Sequence, residues 1–186
     1  MSLLREKILV AASDLFQTRG INSTGVDTIV ATAGTTKMTL YKYFRSKEDL
    51  IAAVLQKAYR DFQDWLAERL PSTKRPSDKL QNLFDFIEEW VNAPDFRGMA
   101  FLKASAEFPD AENPIHRLSA AQSHEFRRYL AALATEAGVA DADGLSLQLS
   151  LLIEGAMQAE QIQRGSGSMQ YAKKASRILI DSALKG

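Results

Sequence analysis

Cysteine is absent from this 186-residue chain. Disulfides and thiolate chemistry are thereby excluded, and the absence agrees with a reducing cytoplasm, the compartment we expect. Histidine is nearly as scarce, with His116 and His124 the only two. Eight residues apart, they are too far for the i, i+4 pair by which one helix grips a metal, so no metal and no cofactor are expected. A Gly-rich phosphate loop is also missing. Ser123, His124 and Glu125 are sequence neighbours, point in different directions on a helix and form no triad. With no convergent constellation, an enzyme is not expected. Apolar runs are short. None approaches the ~20 residues that cross a bilayer, and Arg5, Glu6 and Lys7 interrupt the start too early for a secretory leader, so no membrane partner is expected. No segment shows the alternation of a half-buried strand.

A net charge of one sign is missing too: 23 Lys and Arg balance 23 Asp and Glu. The balance conceals an asymmetry. Residues 1–60 carry nine basic and five acidic side chains, a net of +4, and the remainder carries fourteen and eighteen, a net of −4. A basic head on an acidic body directs a polyanion to one end.

What the head does contain is two short helices with a tight turn between them. Val26, Ile29, Val30 and Ala33 form an apolar stripe at helical spacing. Thr24 stands where an N-cap would, with Asp27 at the capping-box position. Gly34 follows the stripe, where a left-handed residue ends a helix. Thr36 can cap the next helix, in which Leu40 and Phe44 are four apart and share a buried face. Ser46 then caps a longer helix, with Asp49 at its capping-box position. Two short helices about a Gly-containing turn form a helix-turn-helix, whose second helix is of a size to enter the DNA major groove.

The segment from Gly34-Thr35-Thr36 through Leu40-Tyr41-Lys42-Tyr43-Phe44-Arg45-Ser46-Lys47-Glu48-Asp49-Leu50 resembles the DNA-binding domain of the TetR family of bacterial transcriptional regulators. Upstream, Ile8, Ala11, Ala12, Leu15, Phe16 and Gly20 match that family's first helix and its stop. Thr35 stands where a small aliphatic residue is usual, and Met38 where a smaller or polar one is common. The resemblance implies an all-α protein: a helix-turn-helix domain at residues 1–46, and a helical effector-binding and dimerisation domain at 47–186. It also implies control by a small-molecule effector. A weaker similarity, at Arg97 to Phe101 and Glu107 to Asp110, points to the ligand-binding body of one TetR subgroup.

Pro- and Gly-marked breaks divide the body into helices at about 50–70, 77–92, within 94–107, 114–137, 143–164 and 169–184, for about nine helices in all, with a loop at 71–76. Helix 143–164 is apolar on more than one side, so it must be covered from two directions. With 169–184 it is the expected homodimer surface, and the resemblance points the same way. A palindromic operator on double-stranded DNA needs such a dimer.

Within the head, Lys37, Met38, Thr39 and Lys42 are expected to face base edges, with Thr36 at the cap. Tyr41, Tyr43 and Lys47 are expected on phosphates, which set register without reading sequence, with Thr24 and Thr28 as further phosphate contacts. In the body, Phe62, Trp65, Trp90, Met99, Phe101, Phe126, Tyr129 and Met157 are the candidate apolar wall of an effector cavity, though such stripes are often simply core. Glu154 and Gln158 are its candidate polar groups, because an unpaired carboxylate in an apolar helix needs a partner, water or a ligand. The rival to a DNA-binding repressor is a helical protein-interaction module without DNA binding.

Overall fold

The chain is largely helical, as seen in a computed structural model that describes residues 2–70, 75–94 and 96–185. Nine helices and no strand occur among these residues: α1 Leu3–Arg19, α2 Val26–Thr32, α3 Lys37–Tyr43, α4 Lys47–Arg69, α5 Pro76–Asn92, α6 Ala100–Glu107, α7 Pro114–Glu136, α8 Ala142–Ile162 and α9 Ser168–Ala183. The boundaries follow chemistry visible in the chain. Gly20 ends α1 with φ 89° and donates its N–H to the Phe16 carbonyl at 3.1 Å. Pro76 opens α5, where its missing N–H is no loss. Of the loop expected at 71–76, residues 71–74 lie outside the described residues.

Two compact units arise from discontinuous segments. The first comprises residues 1–61 and 99–121, and the second 62–98 and 122–186. They do not coincide with a division at residue 46, because α4 and α7 each run through both units and α6 packs with the head helices. Within the first unit one core joins Ile8, Leu15 and Phe16 of α1, Ile29 of α2, Leu40 of α3, Leu50, Ile51 and Leu55 of α4, Ala104 of α6 and Ile115 of α7.

In the second unit α5, α8 and α9 pack on one another. Leu80, Leu83, Phe84, Ile87 and Val91 give α5 a buried stripe at 3.6-residue spacing. Lys173 of α9 pairs with Asp85 and, at 3.2 Å, with Glu88.

Candidate nucleic-acid interface

The α2–α3 turn is built by local hydrogen bonds. Gly34, at φ 63°, donates its N–H to the Ala31 carbonyl at 3.3 Å, and Thr35 donates to Val30 at 2.9 Å. A side chain at Gly34 would meet the Cβ clash of the left-handed region. Thr36 caps α3, its hydroxyl oxygen accepting from the Thr39 N–H at 3.3 Å. One turn on, Leu40 is fully buried and Phe44 nearly so, and both belong to the core of the first unit. The seven-residue α3 is anchored through this one face, and Lys37, Met38, Tyr41 and Lys42 are turned outward.

Met38 is 83% exposed and Tyr41 47%. Lys37 and Lys42 are exposed as well, and Thr39 is half-buried beside the Thr36 hydroxyl. The Tyr43 ring packs against the core with its hydroxyl 2.9 Å from Ser2 Oγ. The Lys47 ammonium donates to the Ile21 carbonyl at 2.8 Å, so one of its three protons supports the α1–α2 turn. Thr28, in the first turn of α2, is half-buried. Lys37, Met38, Thr39, Tyr41 and Lys42 are thus brought together on one short helix.

Thr24 is not among them. It is 1% exposed, and its hydroxyl donates inward to the Gly20 carbonyl at 2.6 Å. Gly25 is the N-cap of α2, without a side-chain cap. Both expectations for Thr24, as cap and as phosphate contact, are corrected: its hydroxyl satisfies the end of α1 instead. Asp27 does not close a capping box either. Its carboxylate lies 2.8 Å from the Lys37 ammonium and holds that group above its ordinary pKa. At α4, Ser46 caps as expected, accepting from the Asp49 N–H at 3.1 Å, while Asp49 accepts from Arg45 N–H at 3.1 Å.

Glu107, at the end of α6, is a residue that sequence reasoning missed. Its two carboxylate oxygens accept from the backbone N–H groups of Ile21 at 2.8 Å and Asn22 at 2.7 Å. Asn22 Nδ2 returns a bond to the Glu107 carbonyl at 3.1 Å. Lys103, one turn earlier on α6, donates to the Gln17 carbonyl at 3.1 Å. The turn that launches α2 is therefore gripped by α6. The sequence signal was faint: a turn with exposed N–H groups after Gly20, and no local acid to satisfy them.

In the second unit the ring contacts join Phe62, Trp65, Trp90 and Phe126, with Phe96 added to those expected. Met157 is buried in α8 and Tyr129 is half-buried, where desolvation raises its phenol pKa. Met99 and Phe101 are buried in the first unit. Glu154 is half-buried: desolvation raises its carboxyl pKa, opposed by the Arg127 charge and a Ser123 hydrogen bond. Arg127 Nε is buried without a hydrogen-bond partner. Gln158 is exposed. The buried acid of α8 is Glu160, which accepts from Gly165 N–H at 2.9 Å and Ser166 Oγ at 2.6 Å, and these bonds lower its pKa against the desolvation that would raise it.

One face of α8 and α9 stays apolar and exposed: Leu147, Leu151 and Ile162, then Tyr171 and Ile178. On α8 the spacing 147, 151, 155, 158, 162 makes one stripe, with Gly155 and Gln158 also exposed. Of the histidines, His116 Nδ1 lies 2.7 Å from the Phe108 carbonyl, and His124 is exposed beside Arg127. No metal-holding cluster and no helix long and apolar enough to cross a membrane occur among the described residues.

Comparison with known proteins bears on the same segment. Residues 8–54 match the profile of bacterial regulatory proteins of the tetR family. Over 88 residues the chain is 36% identical to the HTH-type transcriptional activator FasR of Mycolicibacterium smegmatis, covering 45% of this chain and 40% of FasR. Over 84 residues it is 38% identical to the HTH-type transcriptional repressor KstR2 of the same organism, covering 43% of this chain and 39% of KstR2. These matches thus span about two fifths of either relative. Among solved structures, SCO4454, a TetR-family transcriptional regulator from Streptomyces coelicolor, superposes with a TM-score of 0.91 at 29% identity, covering 97% of this chain and 96% of that one.

Proposed function

We propose, from the premise that this chain belongs to the TetR family of bacterial regulatory proteins, that it is a cytoplasmic homodimeric repressor that reads a palindromic DNA operator through α3. The observation that carries the reading is the seating of α3: Leu40 is fully buried while Lys37, Met38, Tyr41 and Lys42 are turned to solvent on a helix sized for the major groove. Lys37 and Lys42 suit guanine O6 and N7, and Met38 and Thr39 suit a thymine methyl. Tyr41, Tyr43, Lys47 and Thr28 hold phosphates, which fixes register, and Thr36 caps the reading helix.

Functionally the division falls at residue 46, with 1–46 contacting DNA and 47–186 serving dimerisation and effector binding. The exposed stripes of 143–164 and 169–184 form the dimer surface. An effector lies against Phe62, Trp65, Trp90, Phe126, Tyr129, Glu154 and Met157, where rings and a half-buried carboxylate coincide in one unit. It acts only to the extent that it binds the DNA-competent and incompetent shapes with different affinity. KstR2 is named a repressor and FasR an activator. Repression follows the slightly higher identity, and a promoter reporter tests the sign.

Selection of bound duplexes from a random-sequence library tests the reading. A two-fold symmetric consensus is expected, and Lys42→Ala is expected to weaken binding to it by about 1–3 kcal/mol while relaxing preference at one position of each half-site. Recovery of unenriched sequence overturns the proposal.

A further inference from the structure

Lys37 is the first residue of α3 and Asp27 lies in the first turn of α2. Lys37 Nζ and Asp27 Oδ1 are 2.8 Å apart, with the side chains 54% and 81% exposed. No packing demands this pair, because both groups stand in water. An exposed ion pair adds little to stability. A carboxylate at the rim of a DNA-binding surface is itself repelled by phosphate. Its place in the first turn of α2 suits the helix dipole, but that does not account for its pairing with a lysine of the DNA-facing helix.

We propose that Asp27 is a positioning residue for sequence discrimination: it holds the Lys37 ammonium away from the phosphate backbone and reserves it for a base edge. The inference rests on the DNA-reading function proposed above. An ammonium has three donor protons. One remains on Asp27 while the others reach guanine O6 and N7 in the correct sequence. On an incorrect sequence no base acceptor is in place. Lys37 can then gain a phosphate only by leaving Asp27 unpaired beside other phosphates. The pair is electrically neutral on random DNA and displaces no counterion there. Asp27 thus penalises wrong sites more than right ones, which is specificity by exclusion.

The test compares two duplexes of equal length, one carrying the consensus selected by the wild-type protein and one with that consensus scrambled. Asp27→Asn is expected to raise affinity for the scrambled duplex by about five- to tenfold, with a salt slope steeper by about one. Affinity for the consensus is expected to change by less than about twofold, so discrimination falls. In a Lys37→Ala background Asp27→Asn should leave discrimination unchanged, and Asp27→Glu should largely restore it in the native background. Circular dichroism confirms that the variants are folded, with Asp27→Ser as a second uncharged substitution. Equal rises on both duplexes mean simple repulsion and overturn the proposal. So does an undiminished loss of discrimination without Lys37. Absence of any sequence preference in the wild-type protein defeats the DNA-reading function itself, an outcome distinct from the other two.

Discussion

Helices α3 and α8 both turn large side chains to solvent, and they differ in chemistry: α3 mixes two lysines and a phenol with one apolar side chain, Met38, whereas the large exposed side chains of α8 are aliphatic. On α3 the exposed set is Lys37, Met38, Tyr41 and Lys42, carried on seven residues with Leu40 as the buried anchor. On α8 it is Leu147, Leu151 and Ile162, carried on 21 residues whose opposite face buries Leu145, Leu149, Ile153 and Met157. Cations and hydroxyls lose little by facing water and gain from phosphates and base edges. A leucine at 61% exposure gains nothing from water and is satisfied by another apolar face. Exposure alone therefore does not identify a partner. The chemistry of what is exposed narrows the choice: that of α3 suits a nucleic acid, and that of α8 suits another apolar face, for which the proposed occupant is a second copy of the chain.

The comparison breaks most easily at the α3 anchor. Leu40→Ala removes a fully buried side chain and is expected to destabilise the first unit by about 2–5 kcal/mol, read by urea unfolding. Duplex binding falls with it, because the outward set loses its mounting. At the other helix, Leu151→Glu with Ile178→Glu puts charge into the apolar stripe. Sedimentation should then report a monomer at micromolar concentration with helicity retained. Duplex affinity should drop about 10²- to 10³-fold, because two half-sites no longer bind as one. A dimer mass would move the contact off these helices.

A third substitution sharpens the account of how α3 is aimed. Glu107→Ala leaves the Ile21 and Asn22 N–H groups without their carboxylate. About 1–3 kcal/mol of stability should be lost, with Glu107→Gln, which keeps one acceptor oxygen, losing less. The smallest effect falls on α8. Burial raises the Glu154 carboxyl pKa, so the folded chain holds this proton more tightly than the unfolded one. Well below the ordinary carboxylate range both states are protonated and the residue costs nothing. As pH rises through its elevated native range, that stability is lost. Glu154→Gln should therefore raise the thermal midpoint by about 1–3 °C at pH 7 and leave it unchanged at pH 3.

How much of this could be read in the sequence depended on distance along the chain. The α2–turn–α3 segment was legible because Gly34, the Thr36 cap and the Leu40–Phe44 spacing act within a few residues of one another. The Glu107 grip was not, since its partners stand 85 and 86 residues away. Thr24 was misassigned because a threonine before a helix can cap that helix or satisfy the end of the previous one, and only the fold decides. Glu154 drew attention by sitting in an apolar run, yet the series 149, 153, 156, 160 puts Glu160 on the buried stripe. Its partners are the N–H and hydroxyl groups of the loop that follows α8. In the aromatic and sulfur set, residue type foretold burial for Phe62, Met99, Phe101, Phe126 and Met157 but only half-burial for Trp65, Trp90 and Tyr129, whose rings are amphipathic.

The most direct measurement is duplex affinity across a salt series, made on the wild-type protein with DNA from its own promoter region. A steep linear fall of log affinity with log salt is expected, together with tighter binding to the promoter duplex than to a scrambled one at every salt level. Binding that is absent, or indifferent to both salt and sequence, would contradict the assignment of α3 to DNA.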